Sequence, residues 1–267
     1  MHWVLQNDIF DEAGWRALRD ALERLELPFS VHKVVPFVGE LIPAPQLSTD
    51  NVICMGSYSM RHVAKRERWS PGVFDLEPFD FRAQLAHWGE HLLNAHSVVT
   101  RFADVRFVND EHFVRPVSDS KVFAGKVMTR AEFEPWQRSV CQLGEDDGST
   151  MTSDTLVQLA MPRVVHAEYR CWIVKGELVT ASLYKRGQRA FASADVPESM
   201  KVYARARVAE WQPHEAFVLD VCETEDGPRV VEINTLNAAG FYAADMQRLV
   251  AALEAAFNRR TRTSSER

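Results

Sequence analysis

The sequence predicts a mixed α/β (α+β) fold, and three observations support this prediction. About the first 90 residues alternate strand-like and helix-like segments, whereas residues 97–234 are dominated by β segments. A length of 267 residues suits one large domain or two modest ones. We therefore expect a small N-terminal α/β domain at residues 1–96 and a second domain at residues 97–257, followed by a polar tail at residues 258–267.

The N-terminal domain is predicted to hold a small, mainly parallel sheet flanked by helices. Short runs of apolar or β-branched residues mark its strands, and apolar residues spaced three or four apart mark its helices. In chain order the predicted elements are a strand at residues 3–5, a helix with Trp15, Leu18, Leu22 and Leu25 on one face, strands at 31–37 and 52–55, and helices from about residue 59 and over 81–95.

The second domain is predicted to be rich in strands. Seven segments have the alternating or continuous apolar pattern of strands, and two have helical spacing. The predicted strands are 105–108, 112–117, 156–165, 169–174, 177–183, 216–222 and 230–234, and the predicted helices are 130–143 and 242–257.

The composition limits the kinds of partner. The chain has 31 basic and 37 acidic side chains and a net charge of −6. Binding to nucleic acid or to an anionic membrane is not expected, because such binding depends on basic surface. No stretch approaches the ~20 apolar residues that span a bilayer, and the first residues lack the pattern of a signal peptide. The four cysteines have no paired spacing, so we expect reduced, mostly buried thiols in a soluble cytoplasmic protein.

A predicted hairpin near the carboxyl end brings acidic side chains together. Two β-rich runs flank a three-residue loop at 225–227, in which Gly227 takes the left-handed position. In that register Asp220 lies opposite Glu232, with Cβ atoms about 5 Å apart, and Asn234 points to the same face. Two carboxylates this close repel unless a cation lies between them, and hard oxygen ligands suit Mg²⁺. An exposed sheet face with solvated acids is the alternative.

A second predicted hairpin carries a cluster of charges. Lys175-Gly176 fits a two-residue turn. An unbroken register from this turn places Glu168, Arg170 and Lys185 on one face, with Arg170 opposite Ala181. Two cations and an acid in this arrangement suit the neutralisation of phosphate charge, while the acid accepts hydrogen bonds from hydroxyls. A surface ladder of ion pairs is the alternative.

A third element is a basic loop. A strand ending in Arg115-Pro116 leads into small polar residues and then Lys121. Small residues between two cations suit a flap that covers phosphates, and an ordinary hairpin loop is the alternative. The sequence has neither a Walker A loop nor a GxGxxG motif.

Taken in order, these elements resemble the ATP-grasp superfamily. The matching features are the apolar-apolar-Arg-Pro strand with its loop, a strand leading to an adenine hinge, Glu-x-Arg, apolar-Asp-apolar, and a final Glu-x-Asn at 232–234. The resemblance covers about residues 97–257 and implies an ATP-grasp fold, with a small lid part over about 97–160 and a central sheet part over about 161–257. The preceding α/β unit fits the small Rossmann-like domain that usually precedes an ATP-grasp module.

The resemblance also implies metal and phosphate ligands. Asp220, Glu232 and Asn234 would hold Mg²⁺ against the β- and γ-phosphates. Arg170 would contact the γ-phosphate and the developing acyl phosphate, with Lys185 nearby.

Further residues are implied to bind the rest of the nucleotide. Arg115 stands where most members of the superfamily carry a phosphate-binding lysine, which indicates a separate, uncharacterised clade, because a guanidinium fork differs from an ammonium. Lys121 is expected to share the phosphate contact. The adenine slot would be lined by Gln158, Leu159, Ala160 and Met161, with Glu168 at the ribose.

The implied activity is that of an ATP-dependent carboxylate–amine (or thiol) ligase that uses ATP and Mg²⁺. A substrate carboxylate attacks the γ-phosphate to give an acyl phosphate and ADP, and an amine or thiol then displaces phosphate. The expected substrates are small-molecule or peptide carboxylates and amines, presented by the N-terminal domain, and a homodimer is left open. A non-catalytic nucleotide-binding protein and a direct kinase of the same fold are the alternatives.

A more distant alternative is a zinc metalloprotease. The run His87-Trp88-Gly89-Glu90-His91 matches the H-x-x-E-H motif. On a helix His87 and His91 would share a face, as zinc ligation requires. Gly89 weakens a helix at the centre of the motif.

The turn after the predicted strand at 52–55 carries an arginine. Arg61 follows Gly56-Ser57-Tyr58-Ser59-Met60 and is placed to bind an acidic group. A position on the surface of the following helix is the commoner alternative.

Overall fold

Two compact units make up the described part of the chain. The computed structural model describes residues 1–7, 13–76, 80–118, 123–142 and 151–259. The first unit consists of Met1–Leu76, His166–Glu223 and Glu232–Arg267, and the second of Glu77–Val165 and Thr224–Val231. The domain boundaries predicted at residues 96 and 257 stay predictions, because these units are groups of packed segments that recur along the chain.

Five strands near the amino terminus form one sheet. They are β1 (His2–Gln6), β2 (Phe29–Val34), β3 (Leu41–Ile42), β4 (Asn51–Met55) and β5 (Ser70–Gly72). Their order is β3-β2-β1-β4-β5, and the pairs are parallel except for β2 with β3. Helix α1 (Ala13–Arg24) connects β1 to β2, and helix α2 (Met60–Arg66) connects β4 to β5. This arrangement agrees with the mainly parallel sheet that the sequence predicts.

The two helices cover opposite faces of this sheet. Successive side chains of a strand point to opposite faces. Leu5 of β1 accordingly shares a core with Leu18 of α1, whereas its neighbour Val4 shares a different core with Val63 of α2. Burial on both faces explains the continuous apolar run of β4.

The second unit contains a four-stranded sheet and two helices. Its elements are α3 (Phe81–Trp88), β6 (Val98–Arg101), β7 (Glu111–Pro116), β8 (Lys126–Thr129), α4 (Arg130–Gln142) and β9 (Leu156–Ala160). The strand order is β6-β9-β7-β8, and all three pairs are antiparallel. Aromatic rings fill its core, where Phe102 meets Phe133 and Trp136 edge-on and Phe107 stacks on Phe133.

A second five-stranded sheet has the order β12-β11-β10-β13-β14. Its strands are β10 (Val165–Val174), β11 (Glu177–Arg186), β12 (Arg189–Ser193), β13 (Ala216–Thr224) and β14 (Gly227–Asn234), accompanied by helices α5 (Glu198–Glu210) and α6 (Met246–Phe257). Trp172, Val218 and Leu249 share one hydrophobic core with Leu5 of the first sheet. The amino-terminal sheet and the central strands of the first unit therefore fold around a common core.

The structure differs from the predicted elements in three places. Residues 105–108 form no strand, because the strand lies earlier in the chain and is followed by the 3-10 turn Phe102–Asp104. The predicted strand over 156–165 is two strands, β9 and β10, with Pro162 between them. Helix α5 escaped prediction because its buried side includes the charged Arg207, which weakens the apolar pattern.

Membrane insertion and cysteine pairing were also expected to be absent. In the described ranges, no helix combines the length and apolar character needed to span a membrane. The four cysteines are free thiols, and all but Cys141 are buried. Burial, with the nearby charge of Asp220, raises the pKa of Cys171 to about 12, so this thiol stays protonated at neutral pH.

A buried asparagine ties the segment after β14 to the amino-terminal sheet. Asn237 donates through its side-chain nitrogen to the carbonyls of Cys54 and Gly72, and its Oδ1 accepts a hydrogen bond from the backbone of Phe74 at 2.7 Å. Its own carbonyl accepts from the backbone of Gly56 at 2.8 Å. Both hydrogen-bonding groups of this side chain are therefore satisfied inside the core.

We predict that Asn237→Ala lowers the free energy of unfolding by about 2–3 kcal/mol, because it leaves buried backbone groups without partners. Urea unfolding followed by circular dichroism measures this loss. Asn109→Ala, at an exposed position, is the control and should change the free energy by less than about 0.5 kcal/mol. Equal stability of the two variants would contradict the assignment.

Candidate active site

An arginine–aspartate ion pair lies inside the first unit, between the neighbouring strands β10 and β13. Arg170 donates through Nε to Oδ1 of Asp220 at 2.9 Å and through Nη2 to Oδ2 at 2.7 Å. Asp220 is fully buried, and Arg170 is 8% exposed. This two-pronged pairing is the strongest form of the arginine–carboxylate interaction. It makes the burial of both charges tolerable, because each ion compensates the other.

Asn234 joins Asp220 to a second carboxylate. Its Nδ2 donates to Oδ2 of Asp220 and to Oε1 of Glu232, at 3.1 Å in each case. The two acids and the amide therefore converge on one point, as the alternation along the strands predicts. The amide nitrogen faces the acids here, and rotation of the amide brings its oxygen to the same place.

This set of side chains fits a hard divalent cation. Two carboxylates and an amide oxygen are ligands that suit Mg²⁺, which completes its shell with water and phosphate oxygens. No group of three or more His, Cys, Asp and Glu residues within the described ranges is placed to hold a metal ion. A cation bound at Asp220, Glu232 and Asn234 would therefore depend on oxygen atoms from a phosphorylated ligand.

The charges of the site are not balanced. Three carboxylates, those of Asp220, Glu232 and Glu168, lie with two cations, Arg170 and Lys185. Burial raises the pKa of Asp220 to about 6 against the opposing effect of Arg170, and the charges of Glu232 and Glu168 add to the rise. Although burial acts to lower it, attraction to Asp220 and the hydrogen bonds between them raise the pKa of Arg170. The site thus retains an excess negative charge that attracts a cation.

Two tyrosine rings, which the sequence did not reveal, flank Arg170. Its Cζ lies 5.2 Å from the ring centroid of Tyr184 and 5.3 Å from that of Tyr242, and the rings stack on each other. Tyr184 also donates from its hydroxyl to Glu168 at 2.6 Å. Tyr242 has a left-handed φ of 51°, an uncommon conformation for a residue other than glycine. A position next to Lys185 was the available signal for Tyr184, whereas Tyr242 follows no motif.

Two β-bulges change the predicted register of β10 and β11. The two-residue turn between these strands is as predicted, but the pairing shifts after it. Arg170 lies opposite Ser182 rather than Ala181, and Glu168 lies opposite Lys185. The predicted charge cluster nevertheless forms, since Lys185 donates through Nζ to Oε1 of Glu168 at 2.6 Å.

The hairpin between β13 and β14 has a shorter turn than predicted. β13 ends at Thr224 and β14 begins at Gly227, so two residues form the loop instead of three. Thr224 donates from its hydroxyl to the carbonyl of Gly227 at 2.7 Å, which stabilises the shorter turn. Gly227 has the predicted positive φ, at 93°.

The predicted nucleotide contacts lie in the second unit. Arg115 of β7 pairs across the ladder with Gln158 of β9. Gln158 is buried and accepts a hydrogen bond from the hydroxyl of Ser97 at 3.3 Å. Lys121 lies outside the described residues. Of the remaining predicted positions, the end of β9 carries buried Leu159 and Ala160, followed by exposed Met161.

The H-x-x-E-H motif is not helical throughout. Helix α3 ends at Trp88, and Gly89 turns the chain with a φ of 46° into a 3-10 turn, so the helix predicted over 81–95 stops early. His87 and His91 therefore lack the shared helix face that zinc ligation requires. Glu90 instead pairs with His96 at 2.9 Å on the surface. Together with the missing metal cluster in this described segment, this geometry argues against a zinc protease.

A comparison with protein families decides the superfamily. A family model for an ATP-grasp domain, the third family of its clade, matches residues 50–253. The chain belongs to this ATP-grasp family. The matched range includes Arg170, Asp220, Glu232 and Asn234, and it confirms the predicted superfamily and its mixed α/β fold.

Solved structures with the same fold correspond to nearly the whole ATP-grasp protein. D-alanine–D-alanine ligase from Bacillus anthracis has a TM-score of 0.62 and 10% identity, covering 96% of this chain and 97% of that chain. D-cycloserine synthetase DcsG has a TM-score of 0.59 and 17% identity, covering 95% and 98%. A RimK domain ATP-grasp protein from Sphaerobacter thermophilus has a TM-score of 0.57 and 12% identity, covering 90% and 92%. No curated protein sequence matches the chain.

We predict that Arg170→Met lowers the free energy of unfolding by about 3–5 kcal/mol, because it leaves Asp220 buried without a compensating charge. Millimolar Mg²⁺ should restore part of this loss, since a divalent ion can replace the guanidinium beside two carboxylates. Lys185→Met, which frees the partly exposed Glu168, is the control and should cost about 1 kcal/mol or less. Urea unfolding with and without Mg²⁺ gives these values, and an undiminished stability of Arg170→Met would refute the role of the pair.

Proposed function

We propose that this ATP-grasp protein is an ATP-dependent carboxylate–amine (or thiol) ligase that uses Mg²⁺. The observation that carries the proposal is the fixed guanidinium of Arg170 beside the oxygen ligands of Asp220, Glu232 and Asn234. Phosphoryl transfer spreads negative charge over the transferred group, so catalysis needs positioned positive charge and no protein nucleophile. A cation site next to a rigid arginine supplies that charge.

The residues of the first unit would act on the phosphates. Asp220, Glu232 and Asn234 would hold Mg²⁺, which neutralises charge on the β- and γ-phosphates when it is bound. Arg170 would donate hydrogen bonds to the γ-phosphate and to the acyl phosphate. Tyr184 limits the motion of that guanidinium, because its ring packs against it and its hydroxyl is anchored on Glu168.

The residues of the second unit would bind the rest of the nucleotide. Arg115 would contact phosphate in place of the usual lysine, with Lys121 sharing that contact. The adenine would lie against Gln158, Leu159, Ala160 and Met161, and Glu168 of the first unit would bind the ribose. Buried Gln158 is held by Ser97 and therefore presents a defined edge.

The proposed reaction proceeds in two steps. A carboxylate oxygen of the substrate attacks the γ-phosphorus while the bond to the bridging oxygen of ADP breaks, which gives an acyl phosphate. The amine nitrogen or thiol sulfur of the second substrate then attacks the acyl carbon and loses a proton, and inorganic phosphate leaves. Arg170 would stabilise the negative charge that develops in both steps.

Solved relatives indicate what the substrates could be. The ATP-grasp ligase PsnB, with a TM-score of 0.53 and 14% identity, was solved with the precursor peptide PsnA2 and AMPPNP. The D-alanine–D-alanine ligase from Bacillus anthracis was solved with ATP. We infer that peptide or small-molecule carboxylates and amines are the substrates of this chain, and that the protein is cytoplasmic, as predicted from its composition.

We predict that Glu232→Ala stays folded but loses at least tenfold in Mg·ATP affinity, because its half-buried side chain serves the cation rather than the core. A thermal-shift titration with Mg·ATP measures both properties. Glu225→Ala, in the exposed turn of the same hairpin, is the control and should bind like the wild type. An unchanged response of Glu232→Ala would remove the metal assignment.

Isotope transfer tests the acyl phosphate. In a screen of pooled carboxylates and amines with Mg·ATP, we expect ADP release only when both substrates are present. With the active carboxylate labelled by ¹⁸O, one labelled oxygen should appear in the released phosphate, as mass spectrometry detects. A stable phosphorylated product would instead identify a kinase, and Mg·ATP binding without ADP release would identify a nucleotide-binding protein.

A further inference from the structure

The carboxyl edge of the amino-terminal sheet has the topology of a ligand site. β1 and β4 are parallel neighbours at its centre, and the helices that follow them, α1 and α2, cover opposite faces. In open α/β sheets, ligands bind in the crevice outside the carboxyl ends of the strands at such a reversal. Here that position lies between Gln6, the last residue of β1, and Gly56, directly after β4.

Polar groups lie at this edge. The backbone of Ser57 donates to Oε1 of Gln6 at 2.7 Å, which joins the ends of the two strands. The hydroxyl of Ser57 lies 2.8 Å from that of Ser59. The guanidinium of Arg61 lies over the ring of Tyr58, 4.1 Å from its centroid. A guanidinium beside hydroxyls is a group of donors that recognises a carboxylate.

An exposed apolar tip lies next to these polar groups. β2 runs parallel to β1, so the turn after β2 lies at the same edge. Gly39 in this turn touches Ser59, since a Cβ on Gly39 would lie 2.0 Å from the carbonyl oxygen of Ser59. In the same turn Phe37 is 91% exposed and Val38 is 52% exposed.

The conformation of Phe37 is costly. Its φ is 63°, in the left-handed region, where a bulky residue is strained by about 1–3 kcal/mol. Its exposed ring gains almost nothing from burial within the chain. Neither packing nor backbone preference therefore accounts for an aromatic residue here, which points to contact with a bound molecule.

The segment after β14 connects this edge to the proposed active site. The backbone of Gly56 donates to the carbonyl of Asn237 at 2.8 Å, and Asn237 follows Asn234 by three residues. The carbonyl of Gly240 accepts a hydrogen bond from Nη1 of Arg170 at 3.4 Å. All these residues belong to the first unit. A molecule held at the edge would therefore border the segment that leads from the cation ligands to Arg170.

We propose that this edge binds a non-nucleotide substrate that carries a carboxylate next to an apolar side chain. Arg61 with Ser57 and Ser59 holds the carboxylate, and Phe37 and Val38 cover the apolar side chain. Free apolar amino acids and the carboxy-terminal residues of peptides share this chemistry. The use of the bound molecule as a substrate rests on the proposed ligase function, whereas its binding requires no nucleotide.

Saturation-transfer difference NMR on the full chain without nucleotide tests the proposal. The probes are N-acetyl-L-leucine, its uncharged amide, free L-leucine and the tripeptide Ala-Ala-Leu. We expect the carboxylate probes to bind at least tenfold more tightly than the amide. Tightest binding of the tripeptide would identify a peptide substrate, and tightest binding of leucine a free amino acid. Absence of binding by every carboxylate probe, or equal binding of the amide, overturns the proposal.

Matched variants locate the binding. Phe37→Ser and Val38→Ser should each weaken binding of the preferred probe about tenfold, and Arg61→Gln should abolish the preference over the amide. The controls are Val202→Ser, at a 56% exposed position of α5, and Arg66→Gln, on the surface of α2. They should leave binding unchanged. Equal losses in variants and controls would place the probe elsewhere and overturn the assignment.

Binding of Mg·ATP to the same proteins separates this proposal from the ligase function. Phe37→Ser and Val38→Ser should retain the affinity of the wild type for Mg·ATP. A wild-type protein that binds Mg·ATP but none of the carboxylate probes overturns the substrate site alone. A protein that binds the probes at Phe37 but never binds Mg·ATP overturns the ligase function and leaves the site intact.

Discussion

The buried ion pair between Arg170 and Asp220 is the constraint on which the site depends. Full burial of Asp220 would be prohibitive for an isolated carboxylate, and the two-pronged guanidinium makes it tolerable. The pair in turn fixes the position of Arg170, which the rings of Tyr184 and Tyr242 flank. Rigid placement of a positive charge before any ligand arrives is what electrostatic catalysis requires.

The same pair leaves the site short of positive charge. Arg170 compensates Asp220, and Lys185 compensates Glu168, whereas the group that Asn234 presents to Glu232 is a neutral amide. A divalent ion would correct this deficit and, through its remaining coordination positions, bind phosphate oxygens. The affinity for a metal and the affinity for a triphosphate are thus expected to rise together, which agrees with a protein that binds Mg·ATP rather than either component alone.

Local pattern predicted the acidic part of the site, whereas long-range geometry decided the rest. Asp220, Glu232 and Asn234 were predictable because alternation along strands determines which side chains share a face. The register around Arg170 was not, because the bulges that place it opposite Ser182 have no sequence signature. Tyr242 was missed since it reaches Arg170 from a segment far along the chain. The fold followed from its strand and helix pattern, apart from α5, whose buried charge hides its apolar side.

A crystal structure with Mg²⁺ and a non-hydrolysable ATP analogue tests the central claim most directly. The account predicts one divalent ion bound by carboxylate oxygens of Asp220 and Glu232 and by the amide oxygen of Asn234, with Arg170 at the γ-phosphate. A triphosphate whose metal ion is held by other residues, with these side chains turned away from it, would contradict the account.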